Sequence, residues 1–550
     1  MEQEELTALN KLNVLIIDDQ ILVQNVIKSA LVELGIENVK CAENAYYALR
    51  LCEQTTFHVV ICAFNVQSDK DGFHLLEELK FKRHVTKCTV LIFLSAETNE
   101  DLVNSIVELQ PDDFWVKPLS SKHVQNRLPV TLEIKRTLFN VYQAIDRQDY
   151  SKAIYFAERH LLNTGLMKYH LQMKRLKGEC LLNLREFAEA ARYYDNLLKA
   201  QHKVSWVYLG YIKALLQQDK LADIQELLQQ LTDKTDTRFA TYDMLAHYYI
   251  GKENYQQAYT EIKKASRLAP RNIERNKRVL DLARLNHDHA GQYHATIAMA
   301  KFAKNSIHDS PLLRLNVVRS AIDYATTLDK ADALKVLNQA ELLLSELEKQ
   351  LPLAAQLKEQ LLVVRARLHT AREERPKAES IVDNHLSLRP TTSVEDNLDK
   401  VKALHELGRR EDAVTLLDAI KRQIAGTGLT NQVVGKYIEQ EAAERTAVHF
   451  TPQQLNRMAV EFFKRNKFKA ALNSLEQAYS LTPNNMNVAL NILKVLVAMQ
   501  GQAPLDEGCA ALAKNIMQQL HYAQLEPTQQ QQCSEYQQQL QPALVAGSSG

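Results

Sequence analysis

From Leu12 to Leu119, short apolar runs alternate with segments of helical spacing. The run Leu12–Ile17 is apolar apart from Asn13 and ends in Asp18-Asp19; Val59–Cys62 and Val90–Leu94 are similar, and a shorter stretch, DDFWV, closes the series. Continuous apolar runs of this length predict strands buried on both faces, hence a parallel sheet with helices on either side. Between them, Gln24–Leu34, Ala45–Cys52 and Phe73–Phe81 carry helical spacing. Five β/α units in roughly 115 residues is the size of a doubly wound α/β domain, in which ligands bind at the carboxyl ends of the strands.

Beyond residue 125 the strand signal ends, and helical patterning runs almost unbroken to about residue 500 with few glycines and prolines. So long an all-α stretch invites a search for repeats. Tyr242, Leu245, Ala246, Tyr249, Ala258, Ile262, Ala265 and Pro270 fall at positions 4, 7, 8, 11, 20, 24, 27 and 32 of a 34-residue unit. Leu455, Met458, Ala459, Phe462, Ala471, Leu475, Ala478 and Pro483 repeat that register. Weaker copies centre on Gly178/Ala190/Tyr194, Trp206/Leu209/Gly210/Ala222 and Ala366/Ala378/Pro390. Small residues at positions 8, 20 and 27 let two antiparallel helices approach closely, large ones fill the space between units, and the proline ends the second helix. On these residues the segment resembles tetratricopeptide repeats. The resemblance implies an all-α solenoid whose groove takes a peptide or a partner helix. The expected division is therefore 10–125 for the α/β domain, 126–500 for the repeat scaffold, and 501–550 for terminal helices and a flexible Gln-rich tail.

Composition excludes several function classes. With 67 Lys+Arg against 66 Asp+Glu, no global field is available to hold nucleic acid or an anionic membrane. No run approaches the ~20 apolar residues of a membrane helix, and the opening MEQEELTALNKLN lacks the basic and apolar regions of a secretion signal. The seven cysteines are scattered without metal-ligand spacing, which fits reduced thiols. A cytoplasmic location is expected. His287-Asp288-His289 and His294 read as loop or core-edge residues, because no Cys or Glu set accompanies them. Lys174, Arg175, Lys177 and Arg192 are candidates for an acidic ligand, weighed against an ordinary solvated face.

Four features mark the N-terminal domain: Asp18-Asp19 after the first strand, Asp71-Gly72 after the third, Ser95 at the end of VLIFLSA, and Lys117-Pro118 after DDFWV. Together, in this order, they resemble the CheY-like receiver domains of two-component response regulators over residues 12–125. The resemblance implies a site in which Asp18 and Asp19 are carboxylate ligands of Mg²⁺ and Asn65 offers its backbone carbonyl to the metal. Ser95 would be the switch hydroxyl, Lys117 the phosphoryl-contacting lysine, and Phe114 the residue at the aromatic switch position.

The departure is at the acceptor. The segment reads Val59-Val60-Ile61-Cys62-Ala63-Phe64-Asn65-Val66; counting back from Asp71-Gly72 without a gap puts Phe64 where an Asp is expected, and one extra loop residue, which the Phe-Asn-Val match favours, puts Ala63 there. A methyl group is no nucleophile. Asp69 and Asp71, the nearest carboxylates, lie past the strand end. Mg²⁺ affinity should be weakened or lost with one carboxylate of three missing. Two accounts stay open: a natural pseudo-receiver, or an Asp→Ala block in a working one. A third reading is an assembly scaffold independent of phosphorylation.

The domain order resembles the auxiliary response regulators of gammaproteobacteria (the VieB type). That likeness implies a non-enzymatic regulator whose partners are a histidine kinase or another response regulator, with a homodimer through the receiver as a further expectation.

Overall fold

The computed structural model describes residues 9–66, 70–97, 99–200, 204–350, 357–423, 429–447, 450, 452–483, 485–522, 525 and 527–546. The N-terminal part is a five-stranded, wholly parallel sheet in the order β2-β1-β3-β4-β5. The strands are β1 (Val14–Ile17), β2 (Val39–Ala42), β3 (Val59–Ala63), β4 (Val90–Ser95) and β5 (Asp113–Val116). Every residue of β1, β3 and β4 is buried. Each fully buried Val, Leu or Ile there contributes about 1.5–3 kcal/mol, which is why these three strands stand out as apolar runs. The edge strand β2, VKCA, buries only Ala42, so its sequence carries no such run.

Helices α1 (Ile21–Glu33), α2 (Ala45–Gln54), α3 (Gly72–Phe81), α4 (Glu100–Glu108) and α5 (Ser121–Thr137) cover the two faces. The order changes direction between β1 and β3, so the ends of those strands, Asp18 and Ala63, flank the switch point where such sheets bind ligands.

Two compact units comprise Met1–Asn276 with Lys301–Asp309, and Lys277–Ala300 with Ser310–Gly550. In the first, the apolar layer under α1 and α5 does not stop at residue 125. It continues through Leu138, Phe139, Val141, Ala153, Met173 and Leu176, on α6 (Phe139–Asp146), α7 (Tyr150–Leu161) and α8 (His170–Asn183). The compact unit thus joins the sheet domain to the first helical hairpins through one core. The chain from Val124 to Gln143, which reads as one connecting helix, is two: α5 and α6 break at Leu138.

Next come α9 (Phe187–Lys199), α10 (Ser205–Leu216), α11 (Gln225–Asp233), α12 (Thr235–Gly251), α13 (Tyr255–Leu268) and α14 (Ile273–Leu285). In the copy at 242–270 the small residues lie where close helix approach requires them, with Ala246, Ala258 and Ala265 fully buried, whereas Ala222 of the weaker copy is exposed in a short 3-10 turn. Gly178 and Gly210 both lie against the Tyr194 side chain, where a Cβ on either would fall 2.5 or 2.2 Å from it. Trp206 packs edge-on to the same ring. A further periodicity is invisible in the sequence: Arg185, Asp219, Glu253 and His287 all adopt positive φ (50–64°), one every 34 residues, at the ends of first helices. Left-handed residues there are usually glycine, and none of these is. The candidate anion-binding cations Lys177 and Arg175 pair with Glu158 (2.6 Å) and Glu179 (2.9 Å).

Among its described residues the second unit contains helices joined by turns and no strand. In the hairpin of Pro452–Lys464 and Phe468–Leu481, Leu455, Ala459, Ala471, Leu475 and Ala478 are buried, again in register. The Gln-rich segment differs from expectation: Pro527–Ala546 is a helix, with Leu540 fully buried and Cys533 and Tyr536 packed on the neighbouring core. Three apolar contacts on one face suffice to dock a helix whose composition otherwise reads as disorder. Residues 547–550 lie outside the described residues.

His289 in this unit carries a pH dependence. Burial, assisted by Lys402 and His287 and opposed by Asp323 and Glu441, holds its imidazole down to about 4. Protonation therefore favours the unfolded chain, and stability from this group is lost as pH falls from 6.5 towards 4. The nearby change at Asp281, pushed up by burial to about 6, has the opposite sign, so wild-type stability alone conceals the effect. Between pH 7 and 4.5, His289→Gln is expected to gain about 2 kcal/mol on the wild type, discounting for partial exposure of the ring. Urea unfolding at the two pH values measures this; an unchanged difference refutes it.

Candidate functional site

The strand ends bring Asp18, Ala63, Ser95 and Lys117 to one edge of the sheet. Asp18 is fully buried. Its backbone N–H donates to the Ala42 carbonyl (3.1 Å) and its own carbonyl accepts from Gln24 Nε2 (2.7 Å), which fixes the end of β1 between its neighbours. Lys117 Nζ reaches both carboxylate oxygens, at 2.8 and 3.0 Å. Gln20 N donates to Oδ1 as well, at 3.0 Å. Burial pushes the Asp18 carboxyl up, against the lowering effect of Lys117 and Gln20. Asp19 is exposed.

Ala63 is the last residue of β3, opposite Leu94 in the register. Phe64 N donates to the Leu94 carbonyl (2.8 Å) and Gly72 N to the Phe64 carbonyl (2.7 Å), so the chain leaves the strand and returns in contact with it. Ser95 is buried at the end of β4, and its Oγ accepts from Glu97 N (2.9 Å). Lys117 N donates to the Ser95 carbonyl (2.9 Å), and the Lys117-Pro118 peptide is cis. Phe114 lies half-buried, stacked on Phe93 at 6.2 Å. Asn65 is exposed. Asp71 caps α3, its Oδ1 accepting from His74 N (2.9 Å). Asp69 lies outside the described residues. Cys62, beside Ala63, is a buried thiol pushed far up by burial, hence an inert one.

A divalent cation does not fit these residues as they stand. The Lys117 ammonium already pairs with the Asp18 carboxylate, hydrogen-bonding Oδ1 and lying 2.8 Å from Oδ2, Asp19 faces solvent, and the third position is a methyl. Among the described residues no group of three His, Cys, Asp or Glu is placed to hold a metal. Mg²⁺ demands near-octahedral oxygen ligation, and here it would have to displace an ion pair first.

Sequence reasoning missed what faces the site. Pro270 ends the helical run after α13, and the turn projects Arg271 towards the β3–α3 loop. Its Nη1 donates to Asp71 Oδ2 (2.7 Å), and its guanidinium lies over the rings of Phe64 (5.0 Å), Phe73 (5.5 Å) and Phe302 (5.7 Å). Stacking on aromatic faces while bonding a carboxylate is a use that lysine could not fill. Four more polar contacts join the same two parts. Arg275 bonds Glu108, Asn272 bonds Glu108 (3.1 Å), Asn104 donates to the Leu268 carbonyl (3.1 Å), and Arg238 pairs with Glu100. Helix α4 is thus held along its length by α12, α13 and the start of α14. No signal in a single sequence links residues 164–200 positions apart.

Comparison with known proteins agrees with this geometry. Residues 14–129 match the response regulator receiver domain family. A probable chemotaxis protein CheY of Rhizobium etli is 27% identical over 110 residues, which is 20% of this chain and 84% of that protein. Among solved structures, the chemotaxis response regulator CheY4 of Vibrio cholerae aligns with 22% identity over 22% of this chain and 98% of its own, at a TM-score of 0.21. A CheY-like receiver domain protein of Methanospirillum hungatei aligns over 22% of this chain and 95% of its own, with 22% identity and a TM-score of 0.20. With the family match, the sheet order and the strand-end residues in agreement, the N-terminal domain of this chain is a CheY-like response regulator receiver domain.

Proposed function

We propose that this chain is a two-component signalling regulator whose receiver acts by binding and not by phosphoryl transfer. The observation that carries this is Ala63 at the end of β3, with Lys117 bonded to Asp18. An acceptor carboxylate would compete for that lysine; with a methyl in its place, the lysine has only Asp18 to neutralise. On this reading the chain has no enzymatic activity of its own, works in the cytoplasm, and binds no Mg²⁺ of functional consequence.

Output then passes through protein contacts. The helices after the receiver act as tetratricopeptide-type repeats, a reading supported by the buried small residues and the left-handed residue every 34 positions. A peptide or helix in their groove is the expected mode of capture, and a histidine kinase or a second response regulator the expected class of partner. Dimerisation through the α4 side of the receiver would first require Glu100, Asn104 and Glu108 to leave Arg238, Leu268 and Arg275. The alternative, a phosphorylatable regulator blocked at one position, is favoured by the presence of Asp18, Ser95 and Lys117 at their places on the strand ends.

The test is intact mass after incubation with Mg²⁺ and a small acyl phosphate, for the chain as given and for Ala63→Asp. The chain as given is expected to stay unmodified. A gain of one phosphoryl group by Ala63→Asp alone identifies a receiver disabled at its acceptor. Modification of the chain as given overturns the proposal and points to another nucleophile.

A further inference from the structure

At the opposite end of the sheet from Asp18 and Ala63, the loops entering β4 and β5 meet α5, α6 and α8 around a cavity of about 390 Å³. Four cationic side chains line it: Lys80, Lys87, Lys135 and Arg175, with Asp112, Asp146 and Glu179 among them. The acids are already engaged. Asp112 pairs with Lys135 (3.0 Å) and accepts from Leu91 N (2.8 Å). Asp146 accepts from the backbone N–H groups of Lys87 (2.9 Å) and Cys88 (3.1 Å), and Glu179 bonds Arg175 (2.9 Å).

Lys80 and Lys87 make no direct ion pair. Lys80 Nζ donates to the Leu109 carbonyl and Lys87 Nζ to the Gln110 side-chain oxygen, both neutral acceptors. Among the described residues neither ammonium has a carboxylate within ion-pair distance. Burial, then Lys87 and Lys135 against the pull of Asp112, holds Lys80 down to about 8. Burial lowers Lys87 too, against the pull of Glu179 and Asp112. Four cations against three carboxylates, each of these already bonded elsewhere, leave the two part-buried ammonium groups facing an open-sided cavity with positive charge in excess.

We propose that this cavity is a binding site for a compact phosphate-bearing anion, held by Lys80 and Lys87. Each ammonium offers three rotatable donors, suited to phosphate oxygens as point-charge contacts. The volume lies within the range of small-ligand pockets. Leu91, Ile134 and Leu176 supply apolar wall, and Lys135 sits 4.5 Å above the Tyr142 ring. Because the walls come from the receiver and from the helices after it, a bound anion would brace α5, α6 and α8 against the sheet. This site stands apart from the acceptor end and does not depend on the reading of Ala63.

The test is calorimetric titration of the full chain with inorganic pyrophosphate, inorganic phosphate and adenosine monophosphate. Saturable binding is expected below about 1 mM, weakened at least about tenfold by Lys80→Gln and by Lys87→Gln, each losing one charge-assisted contact. Lys117→Gln should bind as the wild type does. If Lys80→Gln fails to fold, Lys87→Gln, whose ammonium donates to the Gln110 side chain, reads the same site. Tighter binding of the nucleotide identifies a phosphate ester and equal binding a free phosphate; both uphold the proposal. Absence of saturable binding, indifference to both substitutions, or loss in Lys117→Gln alone overturns it.

Discussion

Replacing Arg367 by methionine is expected to destabilise the second unit by about 3–5 kcal/mol, the cost of removing one partner from a buried charge cluster. The guanidinium is 2% exposed and bonds Asp399 (2.6 Å), Asp323 (2.6 Å) and Glu406 (2.7 and 3.0 Å). Asp323 keeps Lys402 (2.5 Å) and Asp399 keeps Arg319 (3.4 Å) in the variant, but Glu406 loses its cation. Burial already pushes the Glu406 carboxyl up despite Arg367; without the guanidinium, burial raises it further. Methionine has comparable length, so the loss reports charge and not a cavity. For a unit of this size the melting temperature should fall by about 10 °C. The deficit should shrink on acidification to about pH 5, as orphaned carboxylates protonate. A loss under about 1 kcal/mol at pH 7 would mean that water replaces the guanidinium at little cost.

The second large effect is at Gly72. A Cβ there would stand 1.8 Å from the Ala63 carbonyl oxygen and 2.8 Å from its carbon. Neither side can yield cheaply. Ala63 is locked in β3 against Leu94, Phe64 N is bonded to Leu94, and Gly72 N is bonded to Phe64. Gly72→Ala is therefore expected to cost about 3 kcal/mol or more, beyond the usual penalty for overpacking because the clash is with backbone. It should also displace the β3–α3 loop and with it the Arg271–Asp71 contact. Denaturant unfolding measures the first effect, and faster amide exchange over residues 63–72 the second. An unperturbed melt would show that the loop has an alternative path of equal energy.

Gly72 also illustrates what the sequence conveys. Asp71-Gly72 was readable as a landmark of the domain, and its place after the third strand is where the structure has it. The reason for a glycine was not readable, since it is the approach of a carbonyl nine residues earlier. Likewise the acidic pair, Ser95 and Lys117 were placed at strand ends by pattern alone. The bond between Lys117 and Asp18 links residues 99 positions apart. Composition misled in one place: the helix at 527–546 depends on Leu540, Tyr536 and Cys533 meeting a core formed elsewhere.

By itself the sequence determined the local structure. Apolar runs specify strands buried on both faces, and small residues at fixed intervals specify close helix pairs, because burial periodicity is a property of the segment. It also determined the one chemical departure, Ala63. Only the tertiary structure decided the partners of the charged groups. Arg271 lies 200 positions from Asp71, Arg275 lies 167 from Glu108, and Arg367 gathers acids from 44 and 32 residues away on either side. A helical pattern states which face is buried and leaves open against what. A charge on that face therefore looks like solvated surface until the fold supplies its counter-ion.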